Sequence, residues 1–144
     1  DTPCLLHQLK YSILHRVPEN EGLLQQAKEA GSGFIAFSPL AQGLLTYRYL
    51  GGIPEDSRAA RDFTLKKSSI TAELVEKLKK LDEIASDRGQ SLAQMALSWV
   101  LKDDLVTSVI VGASSISQLD DNLQAVMNTD FCEEEIKIIN DLTI

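Results

Sequence analysis

The stretch Val109-Ile110-Val111-Gly112-Ala113-Ser114-Ser115-Ile116-Ser117-Gln118-Leu119-Asp120-Asp121-Asn122 has the make-up of an anion site. A β-branched run stops at a glycine and restarts with helical spacing, so a strand, a tight Gly-Ala-Ser turn and a helix start follow one another. Ser115, with Gln118 three residues on, has the spacing of a capping box. Ile116, Leu119, Leu123 and Val126 fall on one apolar stripe of the helix. A helix N-terminus gathers unpaired N–H groups and the positive end of the dipole, which suits phosphate. Most strand-to-helix turns nevertheless bind nothing, so the rest of the chain must decide.

The net charge of −7 excludes a general affinity for nucleic acid or anionic membranes. An anionic ligand would need a local basic patch, and Arg48, Arg58, Arg61, Lys66 and Lys67 form one within twenty positions. The plain alternative for such a run is a solvated loop. Cys4 and Cys132 lie far apart and only two histidines are present, so neither a zinc site nor a disulfide framework is expected. Neither a signal peptide nor an apolar run of membrane length stands out, and the expected compartment is the cytoplasm, without membrane insertion.

Those residues need a scaffold. With 144 residues, 44% of them hydrophobic and 24% charged, the chain can build one core. Cys4 to Leu9 reads as a strand ending near Gln8, followed by a polar loop from Lys10 to Asn20. Glu21 to Ala30 reads as a helix with Leu23, Leu24 and Ala27 inward and Gly31 as its stop. Gly33 to Phe37 is a short buried strand, ended by Ser38-Pro39-Leu40 because proline cannot donate to a ladder. Residues 41 to 69 form a long connection of the kind that is commonly functional or disordered. Thr71 to Asp87 is an amphipathic helix stopped by Gly89, and Ser91 with Gln94 offers another capping box. Leu92, Met95, Ala96, Trp99 and Val100 give the next helix its core stripe. Leu105 to Val111 reads as a strand buried on both faces, and a last helix runs from about Glu133 to Leu142.

Strands alternating with helices imply a parallel sheet with right-handed crossovers. Three strands cannot close a barrel and would leave two unpaired edges. Residues 1–144 therefore read as an incomplete domain. The abrupt start without an initiator methionine fits a piece of something longer.

Three segments carry a resemblance: His7-Gln8-Leu9-Lys10-Tyr11-Ser12, the run Ala36-Phe37-Ser38-Pro39-Leu40-Ala41-Gln42-Gly43-Leu44-Leu45, and Val111-Gly112-Ala113-Ser114 continuing to Asn122. With Gly52-Ile53-Pro54-Glu55-Asp56-Ser57-Arg58, they resemble the aldo-keto reductase superfamily, in its potassium-channel β-subunit-like and glyceraldehyde-3-phosphate-reductase-like branch. The likeness spans essentially the whole chain. It implies an α/β fold, the C-terminal part (about strands 6 to 8 and their helices) of a (β/α)8 TIM barrel. The missing N-terminal half of the barrel would be the first partner, a small carbonyl compound the substrate of the full protein, and a homo-oligomer is compatible with both.

The resemblance also implies a nicotinamide cofactor. Gln8 is similar to the residue that hydrogen-bonds the nicotinamide carboxamide, having both a donor and an acceptor for it. Phe37 matches the aromatic position stacked on the nicotinamide ring. Ser38, Pro39, Leu40 and Gln42 match the stretch along the pyrophosphate, and Arg48 and Arg58 the loop positions that fold over the dinucleotide. Gly112, Ser114, Gln118, Asp121 and Asn122 match positions around the adenosine and its 2′-phosphate. Many members carry lysine at the position of Gly112 and arginine at that of Gln118, and this chain has neither. NADPH (NADP) is still the expected cofactor, as in the channel-β-like branch, with NADH as the alternative.

The tyrosine, lysine, aspartate and histidine that reduce carbonyls in this family lie in the barrel's first half, and their motifs do not occur here. No catalytic residue is expected in this chain. His7 sits in a context matching strand 6, a rim or core position, and Tyr11, Tyr47 and Tyr49 read as structural or loop residues. Two functions follow from the resemblance. The first is the NADPH-binding part of a reductase acting on aldehydes or ketones. The alternative is an NADPH-binding regulatory β subunit of a voltage-gated potassium channel-like assembly. A scaffold segment without any ligand is the third possibility.

Overall fold

Three short strands form one parallel sheet, and each return path between them runs through helices, as parallel pairing requires. The computed structural model describes residues 4–53, 59 and 65–144. Strand β1 (Leu6–Lys10) pairs with β2 (Gly33–Phe37), and β2 with β3 (Ser108–Ile110), in the order β1-β2-β3. Register sets Lys10 beside Phe37 and Phe37 beside Ile110, so all three strands end at one edge.

Between β1 and β2 lie α1 (Val17–Asn20) and α2 (Leu23–Glu29). After β2, 3-10 turns at Ala41–Gly43, Tyr47–Tyr49 and Lys67–Ser69 precede α3 (Ala72–Asp87) and α4 (Leu92–Val100). Following β3 come α5 (Ile116–Leu123), a 3-10 turn at Gln124–Met127, and α6 (Glu133–Thr143). Thr71 caps α3 through its side chain. Ser91 and Gln94 complete the expected capping box of α4, with both reciprocal bonds present. The expected stops at Gly31 and Gly89 hold, at φ values of 70° and 68° that glycine alone adopts freely.

Strand alternation turns Phe34 and Ala36 of β2 toward the helices, where both are buried. With Trp99, Leu97, Met95, Leu78, Leu81 and Ile139 they form the core. The opposite sheet face carries Gln8, Ile35, Phe37 and Ile110, and Phe37 and Ile110 are exposed there. The α5 stripe also faces outward: Ile116, Leu119, Leu123 and Val126 are all exposed, Ile116 at 81%.

Two expectations need correction. Leu105 to Val111 is not a strand buried on both faces. Only Ser108 to Ile110 is strand, Ser108 and Ile110 are exposed, and β3 has a neighbour on one side only. The segment Lys10–Asn20 is not a plain polar loop either. Tyr11, Ser12 and Ile13 are fully buried, and Pro18 opens α1 at its first turn, where a missing N–H costs nothing.

Two arginines tie the helices together. Arg16 donates to Glu19 Oε1 and Oε2 at 2.7 and 2.8 Å and to Asn140 Oδ1 at 2.6 Å, and its guanidinium lies 4.8 Å from the Trp99 ring centre. Tyr11 donates its hydroxyl proton to Glu19 Oε2 at 3.0 Å. Arg88, at the end of α3, donates to both Glu135 oxygens at 2.9 Å and to the Asn128 carbonyl at 3.1 Å. The guanidinium also sits 3.7 Å from the centre of the Phe131 ring. Burial alone would raise the Glu135 carboxyl, but the Cys132 N–H and Arg88 outweigh it and hold it below the ordinary 4.5. The stabilisation by that carboxylate is therefore complete above pH 4.5 and is lost as the pH falls through its lower folded-state value. Replacing Arg88 with alanine strands a half-buried carboxylate, and should lower stability by about 3 kcal/mol in urea unfolding of the intact gene product near neutral pH. That deficit should shrink as the pH falls through the lowered folded-state value of Glu135, where the wild type also loses the pair; a deficit independent of pH would show that packing on Phe131 alone is at stake.

Candidate functional site

The exit from β2 is the most strained backbone in the described chain. Ser38, Ala41 and Gln42 have φ values of 54°, 48° and 62°, the three positive values at non-glycine residues among the described ones. Such angles cost free energy in residues with a Cβ and persist where surrounding contacts enforce them, most often at binding sites. Here the enforcement is visible. Thr46 donates its hydroxyl proton to the Gly43 carbonyl at 2.7 Å and accepts from the Arg48 N–H at 3.4 Å, and Tyr49 is buried beneath the turn.

Opposite it stands the exit from β3. Ser115 caps α5 by accepting from the Gln118 N–H at 3.1 Å. The Gln118 side chain does not return to the cap as a capping box requires. Its Oε1 instead accepts from both the Ser114 N–H (2.8 Å) and the Ser114 hydroxyl (3.0 Å). These bonds close the turn, and one N–H expected to be open to an anion is already engaged.

Between the two exits lies a cleft of about 600 Å³. Phe37, Ser38, Pro39, Leu40, Gln42 and Arg48 line one wall, and Gly112, Ser114 and Gln118 the other. A second lobe of about 510 Å³ shares Thr46, Arg48, Ser114 and Gln118 with the first, so the two adjoin. Asp121 and Asn122 line this second lobe, with Asp82 and Ser86 from α3. Gln8 lines neither lobe. It pairs with Ile35 in mid-strand rather than ending β1, two positions below Lys10 and on the sheet face that carries Phe37. Arg58 lies outside the described residues. Of the expected basic patch, Arg48 lines both lobes, whereas Lys66 and Lys67 line neither.

Sequence reasoning missed Thr46, Tyr47, Asp82 and Ser86. The first two lie in a loop without periodicity, and the others on a helix face read only for its apolar side. Asp121 has a structural duty besides. Its Oδ1 accepts from Gln94 Nε2 at 2.7 Å and its Oδ2 from the Ser91 hydroxyl at 3.1 Å, which locks the α4 cap to α5.

The polar groups suit a dinucleotide. Gln42 Oε1 and Asn122 Nδ2 are buried without a partner, an arrangement whose cost a bound ligand would relieve. Phe37 offers an exposed aromatic face at the strand edge, and Arg48 a cation where the lobes join. Neither Tyr11 nor His7 lines the cleft. Tyr11 is fully buried and bound to Glu19, and burial first, then that carboxylate, push its hydroxyl far above the usual range. His7 alternates with Gln8 along β1 and so faces away from Phe37, with its Nε2 3.7 Å from Cys4 Sγ. Among the described residues no cluster could hold a metal ion, and no helix is long and apolar enough to cross a membrane.

Parallel strands whose C-terminal edge bears a ligand-sized cleft are the signature of α/β barrels and open α/β sheets. The comparisons specify which. The sequence model of the aldo/keto reductase family matches residues 1–144, and the chain belongs to that family. It is 50% identical over 142 residues to an L-glyceraldehyde 3-phosphate reductase of Escherichia coli O157:H7, covering 96% of this chain and 41% of that protein. A probable voltage-gated potassium channel subunit beta of Arabidopsis thaliana is 35% identical over 125 residues, covering 85% and 38%. Among solved structures, the holo form of an aldo-keto reductase from Bacillus halodurans superposes with a TM-score of 0.70 at 30% identity, covering 97% of this chain and 43% of that one. The chain thus spans about two fifths of the length of these relatives and corresponds to the C-terminal portion of their TIM barrel.

Asp121→Ala should act mainly on the scaffold. It removes the side-chain acceptor of Ser91 and the shorter of the two Gln94 bonds, leaving the one to the Asp121 carbonyl, and should cost about 1–2 kcal/mol of stability. Urea unfolding of Asp121→Ala beside Asp121→Asn checks this, since asparagine can keep one of the two bonds; equal stability of alanine variant and wild type would contradict the locking role.

Proposed function

We propose that this chain is the NADPH-holding portion of an aldo-keto reductase that reduces aldehydes or ketones, its proton donor coming from barrel strands outside this sequence. The observation that carries the reading is the one cleft joining Phe37, Ser38, Leu40, Gln42 and Arg48 to Gly112, Ser114 and Gln118. These are the positions that the family resemblance implies for a nicotinamide dinucleotide, drawn from loops more than sixty residues apart. When bound, the cofactor supplies hydride.

The chain's own residues would do the holding. Phe37 fixes the face of the nicotinamide by stacking, and Gln8 on the same sheet face satisfies the carboxamide. Ser38, Leu40 and Gln42 border the pyrophosphate, with Arg48 and Arg58 neutralising it. Ser114, Gln118, Asp121 and Asn122 receive the adenosine half. Gly112 and Gln118 bring no positive charge to a 2′-phosphate, so these two positions do not discriminate NADPH from NADH. The barrel's remaining strands would cover the exposed sheet face and the α5 stripe.

The second reading, an NADPH-binding regulatory subunit of a potassium channel-like assembly, draws on the 35% identical relative described as such a subunit. It needs the same cleft but no turnover. Titration with NADPH, followed by nicotinamide fluorescence, and an NADPH-oxidation assay with a reactive aldehyde test both. The intact gene product should bind and turn over. The 144-residue segment should bind more weakly and show at least about 10²–10³-fold lower turnover, lacking the group that stabilises the developing alkoxide. Binding without turnover in the intact product would favour the regulatory reading, and absence of binding would refute both.

A further inference from the structure

Tyr47 has no part in the roles above, yet it is placed to act on a ligand. The residue opens the 3-10 turn Tyr47–Tyr49, whose other end is anchored by buried Tyr49 and whose start is pinned by Thr46. The turn is held firmly while the Tyr47 ring stands out at 81% exposure. It lines the second lobe of the cleft and not the first, and no other aromatic residue among the described ones lines that lobe. In the same lobe Asn122 is 5% exposed and its amide nitrogen has no partner. One residue offers a π-face on a fixed turn, and the other offers an unspent donor. A planar heteroaromatic ring with acceptor nitrogens at its edge answers both.

We infer that Tyr47 stacks on the purine base of the dinucleotide, beside the Asn122 position that the family resemblance already gives to the adenosine half. The inference rests on the dinucleotide reading above and assigns the second lobe to the base. Tyr47 is then a binding residue for the adenine end and leaves the nicotinamide end untouched. Stacking needs the π-face and not the hydroxyl, so phenylalanine should serve as well.

The test is a set of titrations on the intact gene product, with NADPH and with reduced nicotinamide mononucleotide, which lacks the adenosine half. Tyr47→Ala and Tyr47→Leu should each weaken NADPH binding about tenfold, and Tyr47→Phe should stay within about twofold of wild type. Mononucleotide binding should be the same in all four proteins. Undiminished NADPH affinity in Tyr47→Ala would overturn the inference, as would a matching loss for the mononucleotide, because the tyrosine would then be shaping the cleft as a whole. Failure of the wild type to bind NADPH at all would instead strike at the dinucleotide reading, and the assignment of Tyr47 would fall with it.

Discussion

Parallel pairing of the strands in register is the constraint on which everything else here depends. With Lys10, Phe37 and Ile110 level with one another, the chain leaves β2 and β3 at the same edge of the sheet. Side by side in space, the two exits come from loops far apart in sequence. An antiparallel neighbour would send one exit to the opposite edge, and no cleft between them could exist. The crossovers through α2 and α4 enforce the parallel sense, and those helices are bound to the sheet by Leu24, Ala27, Met95, Ala96 and Trp99.

The two cleft walls are built on different principles. The β2 exit is strained at Ser38, Ala41 and Gln42 and held by Thr46 and Tyr49. The β3 exit is relaxed and closed by hydrogen bonds from Ser114 and to Ser115. Strain that costs stability is kept where a backbone must approach a ligand closely, and a capped helix start is a cheap way to hold a turn. Away from the cleft, Arg16 and Arg88 each clasp a carboxylate and an aromatic ring. Through them α6 is tied to α1 and α3 without adding charge to the cleft.

How much of this was legible in the sequence depended on whether a residue's fate was local. The α3 and α4 helices could be read with their caps because period and capping chemistry reside within a few residues of each other, as at Thr71, Ser91 and Gln94. The Ser-Pro-Leu and Gly-Ala-Ser motifs line the first lobe, whereas Tyr47, Asp82 and Ser86 of the second belong to no motif. By contrast, the buried Tyr11 meets Glu19 and Trp99, which no periodicity links to it. The exposure of Ile116, Leu119 and Leu123 could not be read either, since an apolar stripe predicts contact and says nothing of whether the partner belongs to the same stretch of chain. The engagement of Gln118 by Ser114 was hidden too, because the same pair of residues satisfies the pattern of a capping box and departs from it only in which N–H the side chain reaches.

Amide hydrogen exchange of the intact gene product, with and without NADPH, tests the central claim most directly. If the exits of β2 and β3 are the two walls of one dinucleotide cleft, peptides covering Ser38–Arg48 and Gly112–Asn122 should gain protection together, at the same NADPH concentration, while α6 stays unchanged. Protection of only one of these segments, or protection confined to regions away from both, would contradict it.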